Sequence, residues 1–271
     1  MRRFRDTRLG RTLSRLSDRP VGKGVCGAFG LALIWEGVPY IFRISPLILP
    51  PFHSVVASVC ADWQVLWQET AFTGLESVVA WVLAIIIAGL LACAMDLLPS
   101  FEKLALYPLL AVQNVPKVAL VPLIIVWCGH GFPPIIVMGI LVAFFPVFEG
   151  FRKGLARDAT GIRVVFGPLC GNRFARLFKI KLPEAMPDIM HGSRLGMTLA
   201  TVGVIVGELQ APDRGLGRVI SDTDIFKTDL QFAAVLLVSV LGVCLYEFVR
   251  LLERTALLAP YNYSVSSIRD H

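Results

Sequence analysis

The ionisable residues that invite a chemical reading are those set inside apolar runs. Lys117 follows Asn114-Val115-Pro116, while Arg194 and Glu208 share one long apolar stretch with Thr198 and Thr201. At about 100° per residue these last four fall within about 80° of one another on a helix wheel, and about 21 Å of helix axis separates Arg194 from Glu208. Charges at membrane depth are costly and face protein or water. The chemistry on offer is therefore the lining of a solute passage, and Lys117, Arg194, Thr198, Thr201 and Glu208 are its candidate residues. Simpler readings stand beside it. Glu208 could snorkel at its helix end, Arg194 could meet lipid phosphate or a loop carboxylate, and Lys117 could cap a broken helix.

Bond-making chemistry finds no comparable set. There is no GxxxxGK[ST] loop, HExxH or GxSxG, and the histidines at 53, 130, 191 and 271 are scattered. The six cysteines, at 26, 60, 93, 128, 170 and 244, form no CxxC pair, so neither a metal site nor a disulfide framework is indicated. The chain is expected to be no enzyme, to need no cofactor or metal, and not to bind ATP by that route.

The elements that must position the candidate residues are apolar helices. Over 271 residues, 55% are hydrophobic and only 17% charged, which is more apolar material than one soluble core can hold. Runs of about 20 residues with few charges predict six spans, Gly22 to Phe42, Leu75 to Met95, Leu104 to Trp127, Pro133 to Phe148, Ile189 to Leu209 and Phe232 to Leu252. The first is read as an uncleaved helix, because Trp35 to Tyr40 makes a poor signal-peptide cleavage site. Lys and Arg number 20 in the segments that are cytoplasmic if the N-terminus is inside, against four in the opposite segments. Cationic loops resist translocation, so both termini are predicted to be cytoplasmic. The net charge of +6 follows from that topology and gives no sign of nucleic acid.

The predicted organisation is a basic N-terminus (1–21), a first span (22–42), an external segment (43–74), a core of five spans (75–258) interrupted by a cytoplasmic loop (150–187), and a cytoplasmic tail (259–271). Trp63 and Trp67 in the external segment suit the membrane interface. In the cytoplasmic loop, Phe174, Leu177 and Phe178 recur at helical spacing between Arg173, Arg176 and Lys179. Such a basic amphipathic helix lies on an anionic leaflet or is presented to a cytoplasmic partner. Pro183 is expected to end it, and Pro187 to open the next span. In that span Gly192, Gly196, Gly203 and Gly207 fall in a stripe of about 60°, the signature of close helix packing.

Pro116-Lys117-Val118-Ala119-Leu120-Val121-Pro122-Leu123, Trp127-Cys128-Gly129-His130-Gly131, Ala143-Phe144-Phe145-Pro146, Leu182-Pro183-Glu184-Ala185-Met186-Pro187, Val206-Gly207-Glu208 and Gly215-Leu216-Gly217 occur in that order. Over about residues 70 to 258 the chain resembles the permease subunit of a bacterial ABC importer, of the group carrying nitrate, sulfonates, taurine, bicarbonate and thiamine-precursor pyrimidines. The resemblance implies an all-α integral membrane protein of the type I importer architecture, with six spans and a cytoplasmic coupling helix.

Such permeases carry a loop reading E-A-A, three residues, G, nine residues, I-x-L-P, which fits a groove on the ATPase. Ile180, Leu182 and Pro183 match its end. Counting back places Val164, Val165 and Phe166 at the E-A-A positions and Cys170 at the glycine, with Gly171 one place later, so the chain departs from the pattern there. With Arg173, Phe174, Arg176, Leu177 and Pro183 these residues are the implied coupling element. The implied partners are a second copy of the permease, two ABC ATPase subunits, a periplasmic solute-binding protein and the lipid of the bacterial inner membrane. Local likeness at Val206-Gly207-Glu208 and Leu252-Glu253-Arg254 leans toward the sulfonate or pyrimidine-precursor branches. A secondary transporter or channel, and a membrane scaffold without a passage, are the competing readings.

Overall fold

The structure, a computed structural model, describes residues 20–156, 172–222, 224 and 227–266. The helices are α1 (Pro20–Ile41), α2 (Phe52–Ala61), α3 (Trp63–Leu97), α4 (Pro99–Gln113), a 3₁₀ turn (Lys117–Leu120), α5 (Val121–Cys128), α6 (Phe132–Ala156), α7 (Arg173–Gln210), α8 (Leu216–Ile220) and α9 (Thr228–Ser266). The chain divides into two compact units, one of residues 1–63 and 222–233, the other of residues 64–221 and 234–271.

Among the described residues, four helices are long and apolar enough to cross a membrane: α3, α6, α7 and residues Thr228–Arg254 of α9. The pair formed by α4 and the Lys117–Cys128 segment makes a fifth if it is one span, bent by 90° at its break. The described apolar part of α1, Gly30–Ile41, and α2 are shorter. Three boundaries differ from expectation. Leu104 to Trp127 is not a straight helix, because Pro116 cannot continue the backbone ladder and biases Val115 away from the helical region. The external segment is largely helical, since α3 begins at Trp63 and carries twelve residues before the expected span at Leu75.

The third difference lies at Pro183, where no break occurs. The basic stretch and the following span form one helix over Arg173–Gln210, with a π-helical turn at Leu177–Lys181. A mid-helix proline lacks an N–H and presses on the carbonyl four residues back, and a locally widened turn accommodates both. Pro187 accordingly lies inside the helix instead of opening it.

The larger unit is held by α3, α6 and α7. Ala80, Ala84, Ala88 and Ala92 bring one face of α3 close to them, and Trp81, Ile135, Met197, Phe148, Phe151 and Ile189 fill the space between. The Trp81 Nε1–H donates to the Ser193 carbonyl at 2.9 Å, which ties α3 to α7 inside this core. α6 and α7 run antiparallel along a seam of glycines. A Cβ on Gly192 would lie 2.6 Å from the Pro146 carbonyl oxygen, and one on Gly203 2.7 Å from that of Met138. A Cβ on Gly207 would lie 2.9 Å from the Ile135 Cα, and one on Gly196 would overlap the Val147 side chain. The seam is reciprocal, because Gly150 and Gly154 on α6 are just as closely met by Asp188 and Ala185. Without a hydrophobic force between helices in lipid, such backbone proximity and its dispersion energy are what hold a pair together.

In the smaller unit, Glu36 on α1 accepts from the His53 backbone N–H at 3.1 Å and lies 2.8 Å from His53 Nδ1. The Trp35 indole packs on Phe52 and Phe232 and donates to the Pro50 carbonyl at 3.1 Å. Glu36 therefore holds the first turn of α2.

Candidate functional site

Glu69, Thr73 and Glu76 stand at i, i+4 and i+7 on α3, one face of an otherwise apolar helix. That face meets the loop that follows α7. Thr73 Oγ1 donates to Glu208 at 2.8 Å and accepts the Leu216 backbone N–H at 2.8 Å. The Gly217 N–H donates to the other Glu208 oxygen at 2.6 Å, and the Gly215 N–H to Glu69 at 2.5 Å. Arg218 closes the set by pairing with Glu69. Gly215 and Gly217 are required here for different reasons. Gly215 has φ +88°, and a Cβ on either would run into Glu208.

Glu208 is fully buried in this network. Its two oxygens each take a donor, which satisfies a polar group whose burial would otherwise be costly. The structure thus separates it from the three residues with which it shares a wheel face. Thr198 and Thr201 border a cleft of about 520 Å³ between α7 and α9, opposite Ser239, Gly242 and Tyr246. The Thr198, Thr201 and Ser239 hydroxyls are each bonded to the carbonyl four residues back in their own helix.

Arg194 pairs with Glu253 of α9 at 3.0 Å and lies over the Tyr246 ring, 5.9 Å from its centroid. A helix carboxylate, not one from a loop, is its partner. Lys117 Nζ donates to the Gln113 carbonyl at 3.1 Å, capping the end of α4 beside the 90° bend.

The basic turn lies at the opposite end of α7 from Glu208. Asn172 caps it, its side chain accepting the Phe174 N–H at 3.0 Å. Phe174 and Phe178 are each 58% exposed, whereas Leu177 is wholly buried against Phe148, Phe151 and Ala185. Lys181 pairs with Asp96 at the end of α3, fixing this turn to the core. Pro183 lines a cavity of about 700 Å³ with Phe178, Trp81 and Val249. Val164, Val165, Phe166, Cys170 and Gly171, the remainder of the implied coupling element, lie outside the described residues.

Sequence reasoning gave no role to Glu69, Thr73 and Glu76. Their signal was present in the i, i+4, i+7 spacing of polar residues within an apolar helix, but it straddles the boundary placed at Leu75. The residues of α6 that face the glycine stripe were likewise readable from Gly139, Gly150 and Gly154, which share a face at helical period.

A family model described as "Binding-protein-dependent transport system inner membrane component" matches residues 82–257, most of the chain. The chain belongs to this family. Among its relatives, a probable ABC transporter permease protein of Haemophilus influenzae is 30% identical over 80% of this chain and 89% of its own length. A taurine transport system permease protein of Escherichia coli is 28% identical over 87% of this chain and 88% of its own. A formylaminopyrimidine transport permease protein of Halalkalibacterium halodurans is 25% identical over 84% and 91%. The chain is thus an ABC importer permease, a multi-pass inner-membrane transport component. The matched region begins at Val82, nearly two turns beyond Glu76, so Glu69, Thr73 and Glu76 lie outside it while Glu208 and the loop it holds lie within.

Proposed function

We propose that two copies of this permease form a passage for a small solute of the sulfonate, nitrate or heterocyclic vitamin-precursor type. A periplasmic binding protein delivers the solute to the end that carries Glu208 and the 211–218 loop. Two separate ATPase subunits dock at the end that carries Arg173 to Lys181. Both termini are cytoplasmic in this arrangement, in keeping with the distribution of Lys and Arg.

The observation that carries this reading is the continuity of α7. A capped basic turn, with Phe174 and Phe178 exposed, is joined without a flexible linker to the span packed against α6. A force applied to the turn therefore moves the span as a rigid body, which is the kind of transition that alternating access requires. Leu177 and the Asp96–Lys181 pair support it by anchoring the turn to the core. Arg173, Phe174 and Arg176, together with Val164, Val165, Phe166, Cys170 and Gly171, are the proposed ATPase contacts. The cleft beside Thr198 and Thr201 is the proposed wall of the passage, with Arg194 and Glu208 toward its two ends and Lys117 at the bend of the neighbouring helix pair. The domain limits follow as a first span, an external segment and a core from residue 75 to 258.

The test is to purify the permease with its ATPase and to compare it with Arg173→Glu/Arg176→Glu. The expected result is loss of ATPase copurification and of uptake driven by the binding protein. Association and uptake at parental levels would remove this turn as the docking element.

A further inference from the structure

The cavity of about 700 Å³ beside Pro183 is a groove along the inner half of α7, between that helix, α3 and α9. It runs from Phe178 to Ser193, about 22 Å of helix axis. Its floor is apolar and buried, since Trp81, Phe151, Ile189 and Val249 are each at most 8% exposed. The Trp81 Nε1–H and the Ser193 carbonyl, which reach it, are spent on each other. Its rim is also apolar, yet Phe178, Pro183, Pro187 and Leu252 are exposed, so the groove is open along its length. Such walls give a small polar solute nothing to hold. Left empty, they forfeit the dispersion contacts that a packed neighbour supplies.

The polar groups of the groove gather at one end. Glu184 is the only charged residue among those that line it. Lys179, exposed, stands one turn before Pro183, on the stripe of α7 that carries Pro183, Met186 and Met190 at i+4, i+7 and i+11. Neither Lys179 nor Glu184 is in an ion pair among the described residues. A cation and a carboxylate, about 8 Å apart along the axis, thus head a channel that is otherwise apolar. From Glu184 to Ser193 the channel runs about 14 Å, close to the about 15 Å of hydrocarbon in one leaflet.

An occupant that matches has a phosphate for the lysine, an amine for the glutamate and one apolar chain as long as a leaflet is thick. We propose that the groove binds a phospholipid of the ethanolamine type, with its phosphate at Lys179, its ammonium at Glu184 and one acyl chain laid along Met186, Met190 and Ser193. Basic sites between spans at the cytoplasmic side take lipid headgroups in this way. The choice of leaflet rests on the proposed orientation, in which the Lys179 end is cytoplasmic and the lipid comes from the inner leaflet. A chain so seated fills the space between α9 and the part of α7 that adjoins the basic turn, and braces the two helices against each other.

The experiment uses the permease with its ATPase, stripped of lipid in mild detergent. Dioleoyl phosphatidylethanolamine, phosphatidylglycerol or phosphatidylcholine is added back, and thermal unfolding and the lipid retained in native mass spectra are read. At about 100 times its Kd the ethanolamine lipid should raise the unfolding temperature by about 5–10 °C. Phosphatidylglycerol lacks the amine and phosphatidylcholine has no N–H to donate, so each should bind about 2- to 5-fold more weakly. Glu184→Gln should abolish the preference for ethanolamine over glycerol, whereas Lys179→Gln should weaken both lipids about 2- to 5-fold. Met190→Trp, which sets an indole in the channel, should retain no lipid and unfold at or above the stripped parent. Equal binding of the three lipids by the parent would overturn the proposal, as would parental lipid binding by Met190→Trp or by both headgroup variants. So would a photocrosslinker at Leu252 that captures a second permease chain and no lipid, because the groove would then be covered by protein. These measurements need no transport. Failure of binding-protein-stimulated ATP hydrolysis in every lipid would count against the importer reading alone.

Discussion

Replacing Gly203 by alanine adds one methyl group where the backbones of α6 and α7 touch. That methyl would stand 2.7 Å from the Met138 carbonyl oxygen and 2.9 Å from the Gly139 Cα, against an ordinary contact of at least 3.4 Å. The helices would have to part by about 0.7 Å at this point, the difference between 3.4 and 2.7 Å. No side chain can rotate to absorb it, because both opposing atoms are backbone. A Cβ on Gly139 would itself stand 2.5 Å from that of Ala80 on α3 and 3.0 Å from the Val204 side chain, so α6 is closely met here from a second side as well. Overpacking of this kind costs about 1–3 kcal/mol. For a chain of this size each kcal/mol is worth about 2–4 °C, so Gly203→Ala should unfold about 2–12 °C below the parent. Gly203→Leu should fail to assemble or to transport. The control is Gly30→Ala, whose added Cβ meets nothing within 4 Å and which gains up to about 1 kcal/mol of helix propensity. The assay heats detergent-solubilised protein and follows the monodisperse peak by gel filtration. Equal unfolding temperatures for Gly203→Ala and Gly30→Ala would refute the close-packing argument.

Other outcomes follow from particular contacts. Glu208→Gln replaces one acceptor oxygen by a donor, leaving either Thr73 or Gly217 without its partner at a cost of about 1–3 kcal/mol. Hydrogen exchange at Leu216 and Gly217 should quicken accordingly, and unchanged exchange would deny that Glu208 holds this loop. Arg194→Met strands Glu253, which is only 14% exposed, and should cost about 3–5 kcal/mol. Arg194→Met/Glu253→Met should recover most of that, and a double-mutant cycle with no coupling would contradict the ion pair. Trp81→Phe removes the donor to the Ser193 carbonyl and should lower stability by about 1 kcal/mol, read as a drop of a few degrees in the same thermal assay.

The membrane class and the close face of α7 were legible because they rest on composition and period alone. Gly192, Gly196, Gly203 and Gly207 lie on one stripe in any straight helix, and the tertiary structure supplies only the identity of the partner. The continuity through Pro183 was not legible. Proline is a reliable obstacle to an α-helical ladder, but whether a chain breaks or widens there depends on what anchors the turn before it. Here Leu177 is held in the core and Lys181 is paired with Asp96, contacts that come from helices far away in sequence. The network around Glu208 was hidden for a similar reason. Its donors are backbone N–H groups of Gly215, Leu216 and Gly217, which carry no side-chain signature, and its acceptors on α3, Glu69 and Thr73, lie before the boundary placed at Leu75. Arg194 and Glu208 do share a wheel face, yet neighbouring helices differ along the axis, so one meets α9 and the other α3.

The π-helical turn at Leu177–Lys181 lets α7 hold one residue more between its exposed phenylalanines and its glycine stripe without changing the angle between them. A π turn closes on the fifth residue where an α turn closes on the fourth, so the extra residue widens the turn instead of rotating what precedes it. Deleting a single residue here would return the turn to α geometry and leave Arg173 and Phe174 facing as they do now. The same deletion in an α turn on either side has no such slack and would swing them by about 100° round the helix axis, so this turn is the one place along α7 where length can vary while the two ends keep their relative orientation.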